Sequence, residues 1–298
     1  APDGAPPLDP EEDEREPALG DPLLAALGGD ADIAVVLEVA AFRELPLGKL
    51  LFDCLAQKAG DELEKARREL GFDLRDVERV ALHRGRGAEP VAMLSGRIPA
   101  ERLEAAFGER ARRVPHGERG VLLSAAGDGG AGRHLALWGD ELLLAASREE
   151  DLRAALDRVE GRAPADSVAL PSELAYGELY GRIPAEVLSE LLPDDLSRAV
   201  RAAARDVELH VDARDDALLV ADVRGGDVTG MDELGRTFGG ALSAARLAAR
   251  ARGEDRLVEL LDLARVAPGN DATFRVEAAL PLHVVEEALG DCARGAPR

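Results

Sequence analysis

The chain has 298 residues, of which 46% are apolar and 3% aromatic, and its formal net charge is −21. This length can bury one large core or two ordinary ones, built here mostly from small aliphatic side chains. So strong a negative charge repels nucleic-acid phosphates, and no apolar run approaches the ~18 residues of a membrane span. We therefore expect no nucleic-acid partner and no transmembrane segment in this chain.

The first segment of the chain is acidic and rich in proline. It begins APDGAPPLDPEEDEREPALGDP, in which Arg15 is the one basic residue. Such a composition cannot bury enough apolar surface to fold, so residues 1–31 are predicted to be a disordered spacer. A chain that begins with Ala1 and such a spacer is typical of an exported protein whose signal peptide has been removed. We expect a periplasmic or cell-envelope location, with a shortened cytoplasmic chain as the alternative.

Hydrophobic periodicity predicts alternating strands and helices over the rest of the chain. The first part has strands at 33–40, 77–83, 90–98, 121–126, 134–139 and 141–147, and helices at 47–70, 99–107 and 148–160. After a boundary at 161–167 come strands at 176–183, 207–213, 217–223 and 272–280, and helices at 184–204, 232–265 and 281–293. Both parts contain the strand–helix–strand–strand–helix–strand order of a ferredoxin-like unit. We predict an α+β fold of two related halves, 32–161 and 168–298, each a mainly antiparallel sheet with helices packed on one face.

One motif supports an internal repeat, because GRIPAE occurs at 96–101 and again at 181–186. A weaker third copy is AALPLHVVEEAL at 278–289. The residue before a proline is driven into extended conformation, proline suits the first helical turn, and an acid is favoured there by the helix dipole. The motif therefore predicts a structural corner where a strand turns directly into a helix. Its residues are Ile98, Pro99, Glu101, Ile183, Pro184, Glu186, Leu280 and Pro281.

The two cysteines, Cys54 and Cys292, lie on apolar helical stripes, and neither belongs to a CxxC pair. This arrangement gives no support to zinc or thioredoxin-type chemistry. In an exported chain the two could form one disulfide that joins an early helix to the last helix. Two buried thiols that act as small apolar side chains are the alternative.

No other motif indicates a catalytic, cofactor or metal site. Gly127, Gly129 and Gly132 satisfy the G-x-G-x-x-G pattern, but a strand follows them where a dinucleotide site needs a helix. The five histidines are scattered singly, so no residue is assigned to catalysis, a cofactor or a metal. Tyr176 and Tyr180 share one face of a predicted strand and could line a groove, or pack in the core or at a sheet edge.

The segment from Asp32 to about Leu156 resembles a loose group of uncharacterised exported or envelope bacterial proteins with duplicated α+β modules. The features that carry the resemblance are ADIAVVLEVAAFRELPLGKLL, GFDLRDVERVAL, VAMLSGRIPAERL and LWGDELLLAASREEDLRAAL. The resemblance implies export and an α+β fold. It implies no activity, because the group has no known active-site residues.

Three functions remain as hypotheses. The first is a non-catalytic exported envelope protein that acts as a binding or structural module for an unknown protein partner. The second is a carrier or chaperone-like binder of apolar ligands, which requires an apolar cavity of roughly 300 Å³ or more between sheet and helices. The third is an enzyme of unrecognised type, which requires His210 or His134 close to a carboxylate and an oxyanion hole.

Overall fold

A computed structural model describes most of the chain. The described residues are 21–29, 31–71, 73–85, 87–107, 111–125, 134–163, 170, 176–190 and 192–289. Within them the chain forms twelve strands and ten helices. The first twenty residues of the predicted spacer and residues 164–167 of the proposed boundary at 161–167 lie outside the described residues, so disorder and the division into two halves stay predictions.

Along the chain, groups of one to four strands are separated by one or two helices. The strands are β1 (Ala31–Leu37), β2 (Val77–Gly85), β3 (Val91–Gly96), β4 (Ala111–His116), β5 (Gly120–Ala125), β6 (His134–Trp138), β7 (Leu142–Ala146), β8 (Leu179–Pro184), β9 (Ala204–Asp212), β10 (Ala217–Gly225), β11 (Ala264–Pro268) and β12 (Thr273–Leu280). The helices are α1 (Pro22–Ala26), α2 (Val39–Glu44), α3 (Pro46–Leu70), α4 (Ala100–Phe107), α5 (Glu149–Val159), α6 (Ala185–Glu190), α7 (Asp194–Ala203), α8 (Val228–Arg252), α9 (Asp255–Asp262) and α10 (Leu282–Ala288).

All twelve strands belong to one sheet, in the order β11-β12-β10-β9-β8-β1-β2-β3-β7-β6-β5-β4. Every pair of neighbours is antiparallel. The predicted α+β class and mainly antiparallel sheet are therefore confirmed. The ferredoxin-like strand order is not found, because a split βαβ unit pairs two strands in parallel. β1 and β8 join the early and late strands into a continuous sheet.

The side chains alternate between two sides of this sheet, and helices cover the two sides unequally. We call one side the α5 side, because Val36, Met93 and Leu144 point there and pack with α1 and α5. The other is the α8 side, where α4 packs on Leu123 and Leu137 and where α6, α7 and α8 pack on the late strands.

We predicted helices on one side of the sheet in each half. This holds for β8–β12, whereas the early strands carry helices on both sides. The reason is that β5, β6 and β7 are apolar at consecutive positions, as in Leu142, Leu143 and Leu144, all of which are buried. A strand of this kind buries both of its faces instead of one.

The repeated motif marks a strand-to-helix corner in each of its three copies. β3 reaches α4 through Ile98 and Pro99, β8 ends at Pro184 directly before α6, and Pro281 separates β12 from α10. Glu101 and Glu186 lie in the first turns of their helices. Ile98 is buried under α4, and Ile183 packs with the core under α6. In each copy the proline is the last residue before the helix and not its first helical residue, which differs from the predicted place in the first turn. Pro281, for example, is the N-cap residue of α10, with an extended ψ of 138°.

The disordered spacer predicted over residues 1–31 extends too far toward the C-terminus, because helix α1 lies within it. Asp21 caps this helix by accepting hydrogen bonds from the backbone N–H groups of Leu23 and Leu24. Leu23 and Ala26 are fully buried against the sheet. The apolar run LLAAL follows Pro22 and is long enough to join the core. The acidic, proline-rich composition of the spacer ends before this run.

Candidate functional site

The late strands present a polar surface on the α5 side of the sheet, and we call it the open face. It is opposite the side on which α6, α7 and α8 pack, and the described helices leave it exposed. Cross-strand register places Arg182, Glu208, Asp222 and Arg275 in one row across β8, β9, β10 and β12. The neighbouring rows add Asp206, His210, Arg224, Arg265 and Glu277.

Glu208 lies at the centre of the open face and is almost completely buried, at 2% exposure. Arg182 donates to one of its carboxylate oxygens over 2.9 Å, and Arg224 donates to the other. A buried carboxylate is tolerated only when it is paired and hydrogen-bonded. The two guanidinium groups therefore fix Glu208 and are themselves held in place by it.

A second pair lies beside Glu208 on the same face. Arg275 donates to both oxygens of Asp222, over 2.7 and 2.6 Å. A two-point contact of this kind holds both planar groups in a defined orientation. The guanidinium of Arg275 remains 44% exposed, so a ligand can reach its outer edge.

Tyr176 and His210 form an aromatic pair at the border of the open face. Their rings stack with centroids 3.7 Å apart and an interplanar angle of 5°. His210 is 2% exposed and Tyr176 is 48% exposed. The histidine ring is therefore buried beneath the tyrosine ring, and the tyrosine ring faces solvent. Burial lowers the pKa of His210 below its ordinary value, which favours the neutral imidazole. Its Nδ1 atom has no hydrogen-bond partner among the described residues.

Tyr180 marks the place where helical cover begins. It points to the same side of the sheet as Tyr176 but is buried in the core formed with α1 and α5. Its hydroxyl donates to Glu38 over 2.8 Å, and burial together with this carboxylate raises its pKa. Of the two tyrosines that share this face, only Tyr176 is therefore exposed to solvent.

The other residues singled out from the sequence do not converge on a site. The three proline corners belong to separate strand-to-helix connections, as described above. Cys54 is buried on α3, and Cys292 lies outside the described residues. The disulfide between them therefore stays a prediction.

A serine–histidine contact occurs elsewhere, on the α5 side of β5 and β6. The Oγ atom of Ser124 is 3.0 Å from Nδ1 of His134, and it donates to Glu149 over 3.2 Å. A serine nucleophile requires a histidine that takes its proton and a carboxylate that orients the histidine. Here the carboxylate contacts the serine, and Arg153 pairs with it and lowers its pKa. The geometry differs from that of a serine nucleophile.

A groove of about 500 Å³ lies along α3 near α2 and the turn that precedes β2. Phe52, Leu55, Ala56 and Leu63 supply its apolar surface, and charged side chains that include Lys49 and Arg75 form the rim. α3 departs from helical geometry at Ala59, where φ is −122°, so the helix is kinked beside the groove. The volume exceeds the minimum expected for a carrier, although the groove is open to solvent.

The residues that the structure describes contain neither a cluster of metal ligands nor a helix suited to span a membrane. In that part of the chain, no three histidine, cysteine or acidic side chains come together as a metal site would require. Over the same ranges, no helix combines the length and the apolar character needed to cross a bilayer.

Comparisons with known proteins identify a similar fold but no family. No family model matches the chain, and no curated protein matches it. Crystal form IV of TP0453 is similar in structure, with a TM-score of 0.51 and 12% sequence identity over 91% of this chain and 96% of that one. Crystal form I of the same protein gives a TM-score of 0.48 and 12% identity over 92% and 98%. At this identity the likeness concerns the fold alone.

The open face was not predicted from the sequence, although its strands show a local pattern of polar and apolar residues. In 206–212, DVELHVD alternates polar and apolar residues, and 273–277 alternates in the same way. Such alternation indicates strands with one solvated side. No local pattern indicates that β12 pairs with β10. This pairing brings Arg275 to Asp222, which is 53 positions earlier in the chain.

Proposed function

We propose that this chain is a non-catalytic binding module of the bacterial cell envelope and that it binds its partner through the open face. The observation that carries the proposal is the contrast along one side of the sheet. α1 and α5 cover the early strands with a packed core, and the late strands carry a network of paired planar groups whose arginine side chains reach solvent.

Stability alone does not explain this network. The two pairs of Glu208 offset the cost of burying its carboxylate. The pair of Arg275 with Asp222, in which the arginine side chain is 44% exposed, contributes little to folding and orders long side chains at an entropic cost. Arg275, Arg224 and Arg182 are nevertheless held by one or two defined hydrogen bonds each. Preorganised planar donors and acceptors are the groups that give geometric specificity in binding, and this supports a recognition surface.

The test is co-sedimentation of the full chain with purified envelope material, namely peptidoglycan sacculi and membranes of the source cells. Arg275→Ala removes a two-point pair from the open face, and we expect at least a tenfold weaker interaction. Arg252→Ala is the matched control, because Arg252 makes the same kind of two-point pair with Glu254 at the end of α8. No binding by the unaltered chain, or an equal loss in both variants, would refute the proposal.

A second candidate is a carrier of apolar ligands in the α3 groove, which the volume of about 500 Å³ favours. Leu55 faces this groove and is 41% exposed. Leu55→Asp should abolish the uptake of a fluorescent fatty acid by the purified chain. Leu247→Asp alters a more exposed leucine on α8 (67% exposed), outside the groove, and should leave uptake unchanged. Absence of uptake by the unaltered chain eliminates this candidate.

A further inference from the structure

Tyr176 has the properties of a rigid aromatic platform. One face of its ring is covered by the buried His210 at a centroid distance of 3.7 Å, and about half of the residue remains exposed. A ring fixed from behind loses little conformational entropy when a ligand stacks on its outer face. Among the described residues, it is the one aromatic side chain with this degree of exposure.

The polar groups around the platform are oriented before any ligand arrives. His210, on which Tyr176 stacks, lies in the cross-strand row next to the one that holds Glu208, Asp222 and Arg275, on the same side of the sheet. Asp222, Arg275, Arg224 and Glu277 line a shallow groove of about 650 Å³ that extends to the turn between β11 and β12. Its size is in the range of ligand sites.

The charges of this surface indicate the class of ligand. Arg182, Arg224, Arg265 and Arg275 are balanced by Asp206, Glu208, Asp222 and Glu277, and each arginine contacts at least one of these acids. A polyanion would require unpaired cations, and an apolar chain would require an apolar groove. A neutral ligand with many hydroxyl groups satisfies paired planar donors and acceptors without changing their charge balance.

A stacking platform adds a second requirement, namely a ligand with a flat C–H face. The face of an aromatic ring is electron-rich and attracts weakly positive C–H groups. Sugar rings combine such a C–H face with hydroxyl groups at their edges. We propose that Tyr176 and the adjoining Asp222–Arg275 pair form a binding site for neutral oligosaccharides. This inference rests on the proposed function, because it assigns a ligand class to the open face.

The test measures binding of two defined probes, chitotetraose and cellotetraose, to the full chain by calorimetry and by saturation-transfer NMR. We expect binding of at least one probe, with the strongest saturation on C–H protons of one sugar face. Tyr176→Ala should weaken binding at least tenfold, whereas Tyr176→Phe keeps the ring and should stay within about threefold. Leu247→Ala, outside the open face, should leave binding unchanged.

The outcomes separate this inference from the function on which it rests. If the chain sediments with envelope material but binds neither probe, the saccharide assignment is wrong and the binding module stands. Equal probe binding by the unaltered chain and Tyr176→Ala also overturns the site. If circular dichroism shows that Tyr176→Ala does not fold, Arg275→Lys replaces it. This variant keeps the positive charge but loses the two-point contact. Undiminished probe affinity in Arg275→Lys would then overturn the site.

Discussion

His210 links the aromatic pair of the open face to the stability of the protein. Its ring is enclosed by Tyr176 on one side and by the sheet on the other, and Glu208, Asp222 and Arg275 are the charged groups that act on it. Burial opposes the imidazolium most strongly, so the pKa of His210 in the folded chain is below its ordinary value. The unfolded chain therefore binds the proton more readily than the folded chain does.

This difference in proton affinity predicts a loss of stability in mild acid. Between the pKa of the unfolded histidine, about 6.5, and the lower folded value, the unfolded state holds more protons, so the free energy of unfolding decreases as the pH falls. Urea unfolding at pH 7 and pH 5 should show this decrease, and His210→Gln should reduce it. His283→Gln, on the exposed helix α10, is the control. An NMR titration midpoint for His210 at or above 6.5 would contradict the prediction.

At the scale of elements, the connection between β1 and β8 depends on a close approach of two backbones. A Cβ atom placed on Gly181 would lie 2.3 Å from the carbonyl oxygen of Ala34 and 2.6 Å from Cα of Val35. Neither atom can move without displacing the strand. Gly96 is the equivalent glycine of the first motif copy. A side chain does not fit there, because its φ is +145° and a Cβ atom would meet the carbonyl of Asp76.

Gly181→Ala should therefore destabilise the protein through overpacking, by about 1–3 kcal/mol or more. Gly226→Ala is the matched control, because a Cβ atom there meets nothing within 4 Å, and its effect should stay within about 0.5 kcal/mol. The free energy of unfolding from urea titration of both variants is the measurement. A similar value for Gly181→Ala and the control would show that the two strands can separate without cost.

At the scale of the whole molecule, β1 and β8 lie inside one continuous sheet, and the largest core cluster extends across their pairing. It contains Val36 from β1, Tyr180 from β8 and Trp138 from β6. The hydroxyl of Tyr180 also contacts Glu38, beyond the end of β1. The early and late strands therefore share buried surface as well as backbone hydrogen bonds.

Because the two parts share this core, we predict that they unfold together. Trp138 is the single tryptophan of the chain and reports on the early strands alone, whereas far-ultraviolet circular dichroism reports on the whole chain. The two signals should give coincident transitions in urea, which is a test of two-state unfolding. A tryptophan transition displaced from the circular dichroism transition would show that the halves unfold separately.

Local sequence patterns predicted the helices and strands that have a clear apolar face or a continuous apolar run. The apolar run at 33–40 and the long amphipathic segment at 47–70 correspond to β1 and α3. The helix predicted at 184–204 is divided into α6 and α7, and Pro193 directly precedes α7. β4 and β11 were not predicted, and 264–265 was assigned to a helix. Both are edge strands that contain proline, and an edge strand is specified by its one neighbour more than by its own residues.

The amino-acid sequence alone determined the fold class, the three strand-to-helix corners and most element positions, because periodicity and proline geometry act over a few residues. Only the tertiary structure decided which strands are neighbours, which side of the sheet the helices cover, and where Tyr176, His210, Glu208 and Arg275 meet. Those outcomes depend on the pairing of segments that lie far apart in the chain. Such pairing is set by the combined burial of all the elements, and no short segment encodes it.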